Sequence, residues 1–272
     1  MARRSFLAIS LMPALIVFLA FFLLPMAKLI PISLSSPLGW KIYFSVLSNP
    51  RYLQSLRDTA ILSAAVTLAA LALGGMSGIF LERARFKGRE VMIAALTLPL
   101  SFPGVVVGFM VILWGGRLGL LGTITNALFG HKLVFAYSTA GLFVGYLYFS
   151  IPRVVLTVMA AAGKLEKARE EAARTLGSGP FKALKDVTLP ALWPSFFSTG
   201  AICLATSMGA FGTAFTLATD INVLPIVIYT EYTLLANLGV ASALSLILGL
   251  ITWLILWTVR VISGLEPEGT GV

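Results

Sequence analysis

The sequence predicts an all-α membrane protein of six transmembrane helices, and three observations carry that prediction. Of 272 residues, 58% are hydrophobic and only 11% are charged, where a soluble domain carries about 25% charged residues; the mean hydropathy is +0.95. Six apolar runs have the ~20-residue length that crosses a bilayer: residues 6–27, 59–81, 91–114, 134–162, 192–219 and 239–262. The period-two alternation of a membrane barrel is missing, so backbone groups in lipid must be satisfied within helices. The chain reads as one transmembrane domain over 1–272.

The first run follows the basic start Met1-Ala-Arg-Arg-Ser. It is longer than the apolar stretch of a signal peptide and lacks a small-residue cleavage site, which predicts an uncleaved first helix over 6–27. Residues 36–57 carry Trp40, Tyr43 and Tyr52 and read as an external segment anchored at the membrane interface by aromatic rings. The second run, 59–81, has no ionisable side chain. In the third, Pro99 and Pro103-Gly104 interrupt the pattern; such a break is either a kink or an opening of backbone polar groups toward a water-filled path. The fourth holds Pro152 and Arg153, the arginine being read as near a helix end. The fifth and sixth runs are separated by a segment around Leu224–Tyr232.

Orientation follows from the basic residues. One side collects Arg3 and Arg4; Arg83, Arg85, Lys87 and Arg89; Lys164, Lys167, Arg169, Arg174, Lys182 and Lys185; and Arg260. The other holds only Lys28, Lys41, Arg51, Arg57, Arg117 and Lys132. The richer side is expected to be cytoplasmic, with both termini on it. This bias also accounts for the net charge of +9 without invoking nucleic acid.

Several function classes are disfavoured. Cys203 is the one cysteine and His131 the one histidine, so no intrachain disulfide and no paired-cysteine or histidine-rich metal site is expected. Runs 6–27, 59–81, 91–114 and 192–219 contain no ionisable side chain, whereas ion-coupled carriers keep buried charges as relays. Ser63, Thr67, Ser207 and Thr216 can each bond their own helix backbone. No glycine-rich phosphate loop is present, no internal repeat is evident, and no cofactor is expected. If the protein moves solute uphill, another polypeptide supplies the energy.

The longest cytoplasmic connection is expected over 163–190. Leu165, Ala168, Ala172 and Leu176 fall on one face at helical spacing, with charged residues elsewhere. Gly177 is placed to stop that helix in left-handed geometry. Ser178-Gly179-Pro180 then turns the chain, and Pro180 opens a second short helix with Phe181, Leu184 and Val187 on one side. Such an element is either a solvated helix pair or a projecting knob whose apolar stripe docks into a groove on another protein.

Within this loop Glu171-Ala172-Ala173, then Gly177 after three intervening residues, then Val187-Thr188-Leu189-Pro190 after nine more resemble the EAA loop of bacterial ATP-binding-cassette importer permeases. The resemblance covers about 55–262 and implies a bacterial inner-membrane permease subunit, itself not an enzyme. It implies that Glu171, Ala172, Ala173, Gly177, Leu189 and Pro190 couple the membrane helices to a separate ATPase. The implied partners are two ATPase subunits, a second permease subunit (identical or similar) and a periplasmic or lipid-anchored solute-binding protein. Glu171 can alternatively pair locally with Arg174 or Lys167.

The stretch Ser207-Met208-Gly209-Ala210-Phe211-Gly212-Thr213-Ala214-Phe215-Thr216 looks like one found in permeases for polyamines, ferric iron, thiamine, sulfate and phosphonates. Several of those have glutamate where this chain has Ala210, so no carboxylate role carries over. Ser207, Met208, Gly209, Phe211 and Gly212 are candidates for the translocation path. The glycines serve either close helix packing or solute contact, and Met208 with Phe211 can form an apolar gate. Residues 224–232 resemble the short re-entrant helix before the last span in this family, and Asp220 and Glu231 are read as solvated loop charges, the alternative being that they face the binding protein or a cationic solute. A passive channel, an ion-coupled carrier and a scaffold subunit are the rival readings. A channel would call for rings of charge and a carrier for buried acidic residues, and neither is seen.

Overall fold

A computed structural model describes residues 11–217 and 221–262, and these residues form helices joined by short turns, without strands. Arg3, Arg4, the first residues of the 6–27 run and Asp220 lie outside the described residues. Helix α1, Leu11–Leu34, contains a π-turn at Leu19–Leu23. Helix α2, Lys41–Ser48, is followed by α3, Pro50–Arg83. Pro50 suits the first helical position, and Asn49 Oδ1 accepts the Arg51 N–H at 3.0 Å, an N-terminal cap that starts α3 well before its apolar run.

The third apolar run does not form one helix. Helix α4, Arg89–Thr97, gives way to a 3₁₀ turn at Leu98–Ser101. Phe102 is extended and Pro103 leads into α5, Gly104–Gly115. Pro103 has no N–H to continue a helix and pushes the preceding residue out of the α-region. The membrane-length third stretch is therefore Gly104–Phe129, α5 joined through Gly116–Gly119 to α6, Leu120–Phe129. Helix α7, Thr139–Gly163, is capped by Ser138, whose Oγ accepts the Gly141 N–H.

Beyond α8, Lys167–Thr175, the expected short helix at Pro180 is the beginning of the fifth span. Helix α9 runs Pro180–Met208, with a π-turn at Leu184–Thr188. It begins earlier than its apolar run because Pro180 opens it. It stops at Met208, short of the predicted 219, because the chain turns at Gly209. Helices α10, Gly212–Leu217, α11, Leu224–Tyr229 with a π-turn at Thr230–Leu234, and α12, Leu238–Ile262, complete the order. Among the described residues six stretches are long and apolar enough to cross a membrane: α1, α3, α5 with α6, α7, α9 and α12. Their outer faces carry exposed Phe21, Leu68, Leu113 and Trp253, as lipid contact requires.

The chain divides into two compact units. One comprises the described residues up to Leu56 with Val227–Leu250. Here Ile42 and Val46 of α2 are buried, Ser33 Oγ and Tyr43 Oη share a hydrogen bond of 2.6 Å, and a side chain at Gly239 would press on Ser36 at 3.0 Å. Glu231, expected to be a solvated loop charge, is instead 1% exposed. Tyr52 Oη donates to its carboxylate at 2.9 Å, and Arg51 lies 3.6 Å away. Those partners offset the cost of burying a charge, and spacing alone could not pair residues so distant in the chain.

The other unit comprises Arg57–Ile226 and Ile251 onward. One core cluster gathers Leu62, Val66, Val111, Leu142, Tyr146 and Leu217, and a second gathers Ala70, Ile79, Val154, Val158, Leu192 and Cys203. In lipid, helices associate by van der Waals contact, and small residues allow the closest approach. Gly74-x-x-x-Gly78 of α3 does this against α7. A Cβ on Gly74 would sit 2.9 Å from Val154 Cβ, and one on Gly78 2.7 Å from the Val155 carbonyl oxygen. An apolar cavity of about 510 Å³ lies between α3, α9 and the end of α12, lined by Leu71, Phe196, Phe197, Leu204, Ile255 and Val259 among others.

Candidate functional site

The loop between α7 and α9 is built around Gly177. Its φ of +86° is the left-handed conformation that only glycine adopts freely. The Gly177 N–H reaches the Arg174 carbonyl and the Ser178 N–H reaches the Ala173 carbonyl, both at 3.0 Å. This paired pattern closes the α8 C-terminus, as the position of Gly177 predicts. A Cβ at Gly177 meets nothing within 4 Å, so the requirement for glycine is conformational.

Around this cap the apolar residues divide. Leu176 is 87% and Phe181 77% exposed. Leu165, Leu184 and Leu189 pack against the second core cluster. Glu171, Ala172, Gly177 and Pro190 are exposed, and Ala173 is half-buried. The Leu189 N–H bonds the Leu184 carbonyl, the wide π-type spacing, directly before Pro190, which has no N–H to give. The helix thus widens where its prolines would otherwise clash with the preceding turn.

The residue that ties the loop down is Glu170, which the motif does not contain. One carboxylate oxygen accepts from Arg83 Nη1 at the end of α3, and the other from Thr188 Oγ1 in the π-turn. Arg83 Nη2 also reaches Thr188 Oγ1 at 3.4 Å. A polar cavity of about 220 Å³ opens beside this clasp, lined by Glu82, Arg83, Gly163, Glu166, Glu171 and Arg174 among others. Glu171 is thereby near the clasp without being part of it. The motif points to Glu171; only the fold brings its neighbour Glu170 to Arg83.

Burial would raise the Glu170 carboxyl, but the hydrogen bonds from Arg83 and Thr188 and the charges of Arg83 and Arg174 outweigh it and hold it below the usual carboxylate range. A carboxyl lowered on folding stabilises the folded form at pH values above its ordinary value and loses that contribution as pH falls through the lowered one. A nitroxide label on Leu176→Cys is therefore expected to keep one line shape from pH 7 downward and to gain mobility only below the ordinary carboxyl value of about 4.5. Glu170→Gln should remove the transition. An unchanged transition in Glu170→Gln would show that the clasp does not hold the loop.

The second candidate region lies where α9 ends. Ser207 and Met208 are buried at 1% and 2% exposure within their own chain, Gly209 is exposed, and Phe211 and Gly212 are half-buried. Phe211 packs on Phe215 with centroids 5.2 Å apart. The Ala210 carbonyl in the break accepts a hydrogen bond from Tyr146 Oη at 2.6 Å.

Gly212 has a packing role. A Cβ there would meet the Val105 nitrogen at 3.0 Å, and one on Gly108 would meet Thr216 Cβ at 2.6 Å. Thr213 Oγ1 donates to the Gly104 carbonyl at 2.9 Å and Thr216 Oγ1 to the Val105 carbonyl at 3.3 Å. The Pro103-Gly104 break is thus a seat for α10. Gly209 has only its own Ala205 carbonyl at 3.7 Å and makes no close approach. Beside it, Arg153 Nη1 donates to Thr206 Oγ1 at 2.8 Å. Arg153 stands near the middle of α7, not near its end, because the helix begins later than its apolar run.

Residues 70–264 match the family model described as "Binding-protein-dependent transport system inner membrane component". The molybdenum transport system permease protein ModB of Escherichia coli (strain K12) is 31% identical over 68% of this chain and 81% of its own length. Chlorella vulgaris has a protein named "Probable sulfate transport system permease protein cysT" that is 31% identical over 65% of this chain and 67% of its own length. The fold matches a chain of a bacterial alginate ABC transporter, solved with an alginate pentasaccharide-bound periplasmic protein. That match has a TM-score of 0.84 and 18% identity, and covers 96% of this chain and 95% of that one.

Proposed function

The chain belongs to the family of binding-protein-dependent transport system inner membrane components, and from that premise we propose that its 163–190 loop couples six membrane helices to a separate ATPase. The protein is a multi-pass permease subunit of an ATP-binding-cassette importer. In our reading the loop and both termini are cytoplasmic, two ATPase subunits dock on the loops of two permease subunits, and a solute-binding protein delivers cargo from outside. The distribution of basic residues supports the orientation. The observation that carries the coupling role is the pair of large apolar side chains, Leu176 and Phe181, left exposed on either side of the Gly177 cap. A loop needed only as a connection has no reason to hold two such groups in water on a clasped scaffold.

The relatives' names point to the cargo. Sulfate and molybdate are tetrahedral oxyanions, and these names support our reading of the small charged solute as a member of that class. The bacterial inner membrane is the assigned location.

Co-purification tests the coupling role. Gly177→Val forces a β-branched residue into the left-handed region, at about 1–2 kcal/mol, and is expected to strip the ATPase from the purified permease. Gly177→Asn, which tolerates that conformation, should retain most of it. If the wild-type chain brings no ATPase with it, or Gly177→Val retains it fully, the coupling role is wrong and a channel or self-powered carrier becomes the better account.

A further inference from the structure

Arg153 is 14 residues past Thr139 and 10 before Gly163 in α7, which puts it roughly 21 Å and 15 Å from the helix ends. A hydrocarbon core about 30 Å thick centred on this helix would hold the Arg153 backbone about 12 Å inside its nearer face, too deep for the guanidinium to snorkel out. Intramembrane arginines face protein or water and mark solute pathways. Arg153 is half-buried, and its side chain donates to Thr206, which is exposed. Thr157, one turn along α7, and Ile202 and Gly209, on either side of Thr206, are exposed with it. Thr206 Oγ1 in turn donates to the Ile202 carbonyl at 2.9 Å, so the hydroxyl is anchored and presents its acceptor side to Arg153.

No carboxylate answers this charge. Among the described residues Arg153 makes no ion pair. None of the 11 acidic residues of the sequence falls within 91–162 or 187–219, so a second copy of the chain has no mid-span carboxylate to offer from these helices either. A guanidinium has five N–H donors in a planar fork that fits the paired oxygens of an oxyanion, and Thr206 takes one of them.

We propose that Arg153, oriented by Thr206, contacts the tetrahedral oxyanion as it passes the membrane centre between two permease subunits. The inference rests on the oxyanion-importer reading above. In this role Arg153 supplies the positive charge that an otherwise apolar path lacks. Its side chain replaces water around a dianion at the depth where hydration is least available. Thr206 is a positioning residue.

Proteoliposomes holding the whole complex, permease with ATPase and binding protein, test this with radiolabelled sulfate and radiolabelled molybdate as separate probes. Arg153→Gln is expected to lower uptake of the transported anion roughly tenfold or more, with the complex assembling in its usual composition. Arg153→Lys, which keeps the charge and loses the fork, should fall between that variant and the wild type. Thr206→Val should raise the anion concentration at half-maximal uptake more than it lowers the maximal rate. Arg153→Gln transporting at the wild-type rate overturns the role, as does loss of partner subunits from both Arg153 variants, which would make the arginine an assembly contact. Wild-type complex taking up neither anion would overturn the oxyanion reading itself.

Discussion

Gly78→Val is expected to remove most folded permease from the membrane. The position has no slack: a Cβ on Gly78 would lie 2.7 Å from the Val155 carbonyl oxygen and 3.2 Å from the Met159 nitrogen. Both are backbone atoms of α7, so relief requires the two helices to part. Overpacking typically costs 1–3 kcal/mol, and this site, rigid on both sides, should reach about 3 kcal/mol, because parting the helices also opens the close packing at Gly74. The neighbouring Gly75 provides the comparison. A Cβ there meets the Phe196 ring at 2.4 Å, a shorter approach, but the ring borders the apolar cavity of about 510 Å³ and can swing into it. Gly75→Ala is therefore expected to cost less than about 1 kcal/mol. Thermal melting followed by size-exclusion of detergent-solubilised protein reads both. Equal melting of Gly78→Val and wild type would show that α3 and α7 are not in this register.

Arg83→Ala should abolish most ATP-driven uptake while leaving the helices folded. Removing the arginine leaves Glu170 half-buried without its charge partner, a worse state than removing both. A charge-assisted hydrogen bond contributes about 1.5–3 kcal/mol, which corresponds to a fall in uptake of roughly ten- to a hundredfold. Glu170→Ala should lose a comparable amount. The double variant should be no worse than either single one, with a coupling energy of about 1.5–3 kcal/mol in a double-mutant cycle. Uptake by the reconstituted complex, normalised to the amount of bound ATPase, is the measurement. Strict additivity of the two losses would show that Arg83 and Glu170 act separately.

Those two results bear on different levels of what the sequence reveals. Length and hydropathy predict the six spans because a bilayer imposes a one-dimensional requirement on each. Gly177 is equally legible, since a helix stop followed by a proline is a local event. The pairing of helices is not. Gly74-x-x-x-Gly78 is visible as a pattern of small residues, yet nothing local says that α7 is the surface it meets. Glu170 and Glu171 differ only in the face they present, and Arg83 chooses between them from 87 residues away. Glu231 looks like a loop charge until Tyr52 and Arg51 are folded onto it. Boundaries fail where apolar runs and helices do not coincide. Pro180 starts α9 in polar sequence, Pro103 divides the third run, and the late start of α7 leaves Arg153 near the middle of that helix. The candidate path residues follow from likeness along the chain, and the structure separates them into buried Ser207 and Met208 and exposed Gly209.

The unbroken course of α9 has a mechanical meaning. Over its 29 residues it is a rod roughly 43 Å long, pinned at Thr188 by the bond to Glu170. The arms on either side of that fulcrum are unequal, about 12 Å toward Pro180 and about 30 Å toward Met208. A tilt of about 5° shifts the short end by roughly 1 Å and the long end by about 2.6 Å. A push of one ångström beside Phe181 thus arrives magnified at the level of Thr206, and Gly209 ends the rod there, so α10 can keep its seat on α5 while the lever swings.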